Sequence, residues 1–206
     1  MRGSAWERRR YALWAPVYDW LVLPFRRTRR RSLEKLDLRQ GERVLLVGGG
    51  TGEDLPFLPP GVLALATDLT PAMLARARGK ARPGGHHLAV MDGHRLAAAD
   101  ATFDAVVLHL ILAVIPDPAL CLAEAARVLK PGGRIGVLDK FVPDGAVPSL
   151  GRRMLNRVMK PMATDITRRL GDIVRSSGVE LEAMDREPAF GGAYTIARLV
   201  KPGRSA

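Results

Sequence analysis

The stretch "RVLLVGGGTGEDLPFLP", Arg43 to Pro59, runs from an apolar segment into three consecutive glycines, with a fourth at Gly52. A short apolar run that breaks into turn residues predicts a strand buried on both faces. Glycines after such a strand, followed by a helix start, let backbone N–H groups approach a ligand where no Cβ intervenes. The neighbouring residues sort the ligands. A Walker A loop needs Gly-Lys-Ser/Thr, and here Gly52 is followed by Glu53 and Asp54. The dinucleotide fingerprint needs a third glycine at 53 or 55, where Glu53 and Leu55 stand. What fits is G-x-G-x-G, read as Gly48, Gly50 and Gly52. Two carboxylates directly after it would repel a pyrophosphate, so a cofactor without phosphate and with a cationic centre suits the place better.

Outward from this stretch, short Leu/Val-rich runs alternate with helical patterns, which predicts an α/β domain with a mainly parallel sheet. The candidate strands are 43–47, 62–67, 87–91, 104–109 and 134–139. "TPAMLARARGKA" opens with Thr70 as N-cap and Pro71 at the first helical position, and "DPALCLAEAARVLKPGG" repeats the device with Asp117 and Pro118. Helices are expected over 5–20, 25–37 and 165–177, and strands in "VELEAMDRE" and "AYTIARLV". The chain divides into an N-terminal helical segment (1–40), a core (41–140), a Pro- and Gly-interrupted cover segment (141–165) and a C-terminal helix with strands (166–206), all within one domain.

Several ordered motifs together resemble the class I S-adenosylmethionine (SAM)-dependent methyltransferases. Besides the glycine stretch, "ATDLTPAML" resembles the second motif, "VMDGHRL" the third, and "ATFDAVVLHLILAVIPDP…RVLKPGGRIGVLD" the remainder, over roughly residues 43–140. The resemblance implies a doubly wound, Rossmann-like, mainly parallel seven-stranded sheet with an antiparallel seventh strand, and SAM as cofactor with S-adenosyl-L-homocysteine as product. It further implies that Gly48, Gly50 and Gly52 approach the methionyl and ribose part of SAM, that Asp68 takes the ribose hydroxyls, that Leu69 or Met73 packs near the adenine, and that Asp92, with Gly93 beside it, accepts from the adenine amino group. One position departs from the family: Leu46 stands where an acidic residue is usual, so Glu53 or Asp54 is expected to substitute.

Methyl transfer from a sulfonium is an in-line displacement that mainly requires alignment and exclusion of water. His109, at the end of the fourth strand, is the candidate base, with a hydrogen-bonded core histidine as the competing reading. Tyr11, Trp14 and Tyr18 share one helical face and read either as core packing or as a lid whose rings could hold a methylated ammonium. The pattern Tyr–x–x–x–Ala–x–x–Tyr–Asp, Tyr11 to Asp19, ahead of the glycine motif resembles bacterial phosphatidylethanolamine N-methyltransferases and the ubiquinone and menaquinone methyltransferases. The leading acceptor is therefore the phosphatidylethanolamine headgroup, followed by a quinone precursor or another small hydrophobic molecule. A SAM-binding or membrane-surface protein without turnover is the third reading, motivated by Leu46.

Composition bounds the rest. The net charge of +11 belongs to the flanks: residues 1–35 carry ten basic against three acidic groups, 36–149 eleven against twelve, and 150–206 eleven against six. Such asymmetry predicts attraction to an anionic surface, unless the arginines are compositional. "WLVLPFRRTRRRSLEKL" and "SLGRRMLNRVMK" combine apolar and basic residues as an interfacial helix would. Nucleic acid is the weaker partner, since no Pro-Pro-aromatic motif follows the fourth strand and Cys121, the sole cysteine, lies in a helix. No metal cluster is expected. The start lacks the apolar core of a signal peptide and reads as mature sequence. The longest apolar run, Ala105 to Ile115, is too short to span a bilayer. A cytoplasmic protein, peripheral on the inner face of the membrane, is the expectation.

Overall fold

The computed structural model describes residues 25–142, 151, 154, 156–157 and 165–203. Its centre is a seven-stranded sheet in the order β3-β2-β1-β4-β5-β7-β6. Strands β1 (Arg43–Val47), β2 (Leu63–Asp68), β3 (His86–Val90), β4 (Phe103–His109) and β5 (Leu129–Asp139) are parallel, and β7 (Tyr194–Val200) lies antiparallel between β5 and β6 (Glu182–Ala189). The doubly wound sheet with its antiparallel seventh strand is the one the motifs implied.

The apolar strands sort their side chains by the two-residue period. Leu45 and Val47 of β1, with Val106 and Leu108 of β4, face the layer that holds helices α3 (Pro118–Val128) and α4 (Leu170–Ser177). Val44, Leu46, Ala105 and Val107 face the opposite layer, where Leu33 and Leu36 cover them from helix α1 (Arg26–Glu34) and the residues just after it. Burial on both faces is why these strands carry no alternating polar residues.

Punctuation acts largely as read. Asp117 caps α3 by accepting from Leu120 N at 3.0 Å. Thr70 holds the cap position of α2 (Pro71–Ala77) without a side-chain capping bond. Three expectations are corrected. The helix after the glycines shrinks to a single 3-10 turn, Leu55–Phe57, because Pro56, Pro59 and Pro60 remove the donors of longer pairing. Strand β5 begins at Leu129, five residues early, since Pro131 biases Lys130 out of the helical region. The helix expected over 165–177 starts only at Leu170, because residues 165–168 are engaged elsewhere, as described below. The expected helix 5–20, with Tyr11, Trp14 and Tyr18, lies outside the described residues, as does most of 141–165.

Candidate cofactor and acceptor site

Strand order reverses between β1 and β4, and the crevice beyond their carboxyl ends is where an open α/β sheet receives a ligand. Gly48 leaves β1 with φ +65°, and a Cβ there would come 2.3 Å from Ile111 Cδ1, so the loop after β1 and the loop after β4 meet where no side chain fits. Gly52, at φ +78°, approaches α2, where an added Cβ would lie 2.9 Å from that of Ala77. Asp68 ends β2 and accepts from Gly50 N at 3.0 Å and Thr70 N at 2.8 Å. Burial raises its pKa against those two N–H groups and the Thr70 side chain. A carboxylate has about four acceptor positions, so acceptor capacity remains for an incoming hydroxyl. Asp92, beyond β3, fixes His94: Oδ1 accepts from His94 N at 2.9 Å and pairs with Nδ1 at 2.8 Å, while His94 Nε2 accepts from Asp117 N. No bond to the other Asp92 oxygen forms among the described residues. Leu69 is half-buried beside Asp68 and Met73 is buried on α2, whereas Gly93 is crowded by Ile115, Val47 and Cys121.

Beneath this crevice runs a buried polar chain. Arg29 Nη1 donates to Asp54 Oδ2 at 2.5 Å, Asp54 Oδ1 pairs with His109 Nδ1 at 2.8 Å, and His109 Nε2 pairs with Ser32 Oγ at 2.9 Å. The side chains of Arg29, Asp54 and His109 are 5%, 3% and 1% exposed. Burial alone would raise the Asp54 pKa, but the Arg29 guanidinium and then His109 outweigh it and hold the carboxyl well below its ordinary range. With Asp54 ionised, Nδ1 is the donor toward it, and Nε2 is taken up by the Ser32 hydroxyl. Both ring nitrogens of the expected base are thus engaged inside the protein. The expected substitutes for the missing acid are engaged too, Asp54 in this chain and Glu53 with Lys80 at 2.7 Å. Leu46 itself is buried in the apolar layer under α1.

On the β5 side, Asp139 is buried at the strand end, where Oδ2 accepts from Ala113 N and Oδ1 from Lys140 N, each at 2.8 Å. Burial raises its pKa to about 6 despite these bonds. The loop 110–115 is held from the other side as well. Asp165 N donates to Ala113 O at 2.7 Å, and the Arg168 guanidinium donates to the carbonyls of Leu112, Ile115 and Pro116. Its apolar side chains pack into the core: Leu112 and Ala113 are at most 1% exposed. Cys121 is buried with its thiol pushed up to about 12, so it supplies no nucleophile. At the same sheet edge, Phe25, Phe190 and Tyr194 meet at tilted and edge-to-face angles, with ring centroids 4.7 and 4.8 Å from Phe25, and Phe190 is 44% exposed at φ +49°. A cavity of about 270 Å³ lies beside them, lined by Arg27, Thr28, Arg31, Glu187 and Phe190, apart from the glycine loop.

Residues 45–137 match the methyltransferase domain family. A phosphatidylethanolamine N-methyltransferase of Cereibacter sphaeroides is 37% identical over 141 residues, covering 66% of this chain and 68% of that protein. The chain belongs to the SAM-dependent methyltransferases. A demethylmenaquinone methyltransferase of Corynebacterium efficiens is 38% identical over 60% of this chain, which spans about half (51%) of that protein. In structure, a chain from the complex between the Haloferax volcanii Trm112 methyltransferase activator and a methyltransferase superposes with TM-score 0.77 at 19% identity, over 93% of this chain and 97% of its own. The [4+2]-cyclase SpnF superposes with TM-score 0.72 at 21% identity, over 86% and 82%. These two likenesses concern the fold.

As a methyltransferase, this chain uses SAM, and the crevice fits that group: Asp68 keeps acceptor capacity for a ribose diol, and the glycines keep the loop free of side chains. The structure brings Gly48, Gly50, Gly52, Asp68, Leu69, Met73, Asp92 and Gly93 to the carboxyl edge of β1, β2 and β3. It sets His109 behind that edge, in the chain with Ser32. Tyr11 and Tyr18 lie outside the described residues. Sequence reading missed Arg29, Ser32 and Asp139. The signal for Asp139 was present, an acid ending an apolar strand as Asp68 does. Arg29 was hidden among the other arginines of its helix.

Proposed function

We propose that this methyltransferase acts on a membrane-derived amine, the phosphatidylethanolamine headgroup or its partly methylated forms. The observation that carries the choice is the 37% identity to a phosphatidylethanolamine N-methyltransferase across two thirds of both chains. A quinone precursor is the second reading, favoured by the demethylmenaquinone methyltransferase at 38% identity over a shorter span.

Bound in this crevice, SAM would supply an electrophilic methyl on a sulfonium for transfer to the acceptor nitrogen. Under this reading Asp68 would hold the ribose hydroxyls, Asp92 with Gly93 the adenine amino group, and Leu69 and Met73 the adenine ring. Gly48, Gly50 and Gly52 let the backbone approach the ribose and methionyl part. The amine attacks as the free base, so these residues align and desolvate rather than move a proton. His109 is closed off by Asp54 at Nδ1 and Ser32 at Nε2. Tyr11 and Tyr18, outside the described residues, are the candidates for a cation–π contact with a methylated ammonium.

Peripheral binding to anionic membrane at the cytoplasmic face accompanies this reading. Its support is narrower than the arginine count of α1: Arg29 is buried on Asp54, Arg30 pairs with Glu34 at 2.9 Å and Arg31 with Glu187 at 2.7 Å. Arg26, which lies over the Phe57 ring, and Arg27, which lines the same cavity as exposed Phe190, stay free of carboxylates among the described residues. No described helix is long and apolar enough to cross a membrane.

The test is incubation with methyl-labelled SAM and vesicles containing or lacking phosphatidylethanolamine, followed by chromatography of the extracted lipid. Label in phospholipid only when that headgroup is present is the expected result. Label in added demethylmenaquinone and none in phospholipid would replace the first reading by the second.

A further inference from the structure

Ser32 and Arg29 sit one helical turn apart on the buried face of α1, and each reaches a different wall of the crevice. Arg29 holds Asp54, two residues after the last glycine of the loop. Ser32 holds His109, the last residue of β4. Asp54 and His109 then bond each other, so the chain closes a ring through α1, the glycine loop and β4. One step further, His109 leads into Leu110, held at φ +59° with its N–H on Leu138 O at 2.7 Å, and then into Ile111, whose side chain lies against Gly48. Both ends of the glycine loop are therefore referenced to α1. No member of this ring is exposed enough to meet a substrate, and the methyl-transfer chemistry leaves all four without a task.

We propose that Ser32 and Arg29 are positioning residues of the cofactor site, coupling the docking of α1 to the order of the glycine loop through Asp54 and His109. The inference rests on the reading that this loop receives SAM. Coupling of this kind is reciprocal: whatever docked α1 adds to cofactor affinity, bound cofactor returns as stability of α1. The arrangement does for the loop what a carboxylate at position 46 could not do from inside the apolar layer. It orders the loop from beneath.

The experiment titrates S-adenosylhomocysteine by calorimetry into the wild type, Ser32→Ala, Asp68→Ala and Ile173→Val. The last trims a buried core residue on α4, far from the ring, and serves as a control for lost stability. Loss of one buried hydrogen bond transmitted to the loop weakens binding about fivefold in Ser32→Ala, while Ile173→Val binds as the wild type. In parallel, hydrogen exchange of residues 26–34 slows when S-adenosylhomocysteine is added to the wild type, and that slowing shrinks in Ser32→Ala. Arg29→Lys, which keeps the charge on Asp54, retains tighter binding than Arg29→Met. If Ser32→Ala binds as tightly as the wild type while Asp68→Ala has lost binding, the coupling is refuted and the cofactor site stands. If Asp68→Ala binds unchanged, or the wild type does not bind, both fall.

Discussion

Removing either partner of the Arg29–Asp54 pair should cost far more than removing both. The pair is short, and its side chains are 5% and 3% exposed, so solvent cannot take over the charge left behind. Breaking a buried pair from one side costs about 3–5 kcal/mol, whereas replacing both members restores much of the loss. Arg29→Met leaves the Asp54 carboxylate with His109 alone, and Asp54→Asn takes the carboxylate charge away from the guanidinium. With a urea slope of about 3 kcal/mol per M, a loss of about 4 kcal/mol lowers the unfolding midpoint by about 1.3 M. The double variant Arg29→Met/Asp54→Asn should lie at least about 2 kcal/mol above the sum of the singles. The Asp54 pKa is depressed in the folded state, so its contribution is complete above the unfolded carboxylate value near about 3.9 and is lost as pH falls below it. The gap between wild type and single variants should therefore narrow in melts run at about pH 3. Single variants that each cost under about 1 kcal/mol and simply add would refute the reasoning, because that is how solvent-screened charges behave.

Two further outcomes follow from the same structure. Asp139 behaves oppositely to Asp54: its folded pKa of about 6 lies above the unfolded value, so its burial favours the protonated form. This group makes stability decline as pH rises from about 4 through about 6, by about 3 kcal/mol in total. Chemical melts across that window should show the decline, and Asp139→Leu should abolish this component of the slope. Gly48→Ala places a Cβ 2.3 Å from Ile111 Cδ1 at a left-handed φ and should cost about 2–4 kcal/mol while abolishing S-adenosylhomocysteine binding by calorimetry.

The sheet was legible because its strands are apolar on both faces and its helices are punctuated. Leu45 and Leu46 point to opposite layers, and Asp117-Pro118 announces α3 one residue before it starts. The crevice residues were legible for the same reason, since Asp68 and the glycines sit at strand ends that the pattern locates. The ring of Arg29, Ser32, Asp54 and His109 was not. Its members are 25 to 77 residues apart in the pairs that bond, and an arginine bound for burial looks like its solvated neighbours in sequence. Asp54 was read as a free acid near the cofactor because nothing local marks the cation that takes it. The arginines of α1 were read as a basic surface, yet several serve ion pairs with β6 and with their own helix.

The antiparallel insertion of β7 between β5 and β6 has a consequence for synthesis on the ribosome. Strand β5 is complete at Asp139, but its outer edge waits for β7, which begins at Tyr194 after 54 intervening residues. At about 5–20 residues per second, that interval is roughly 3–10 s. During it the nascent chain carries Ile135, Val137 and Leu138 on an unpaired edge, the kind of template that recruits another strand. The carboxylates of β6 that anchor Arg31 and Lys35 are also missing for most of that time. Translation therefore builds the centre of the sheet first and leaves its most adhesive border for last, so the nascent polypeptide is most in need of a chaperone after the motif region is already made.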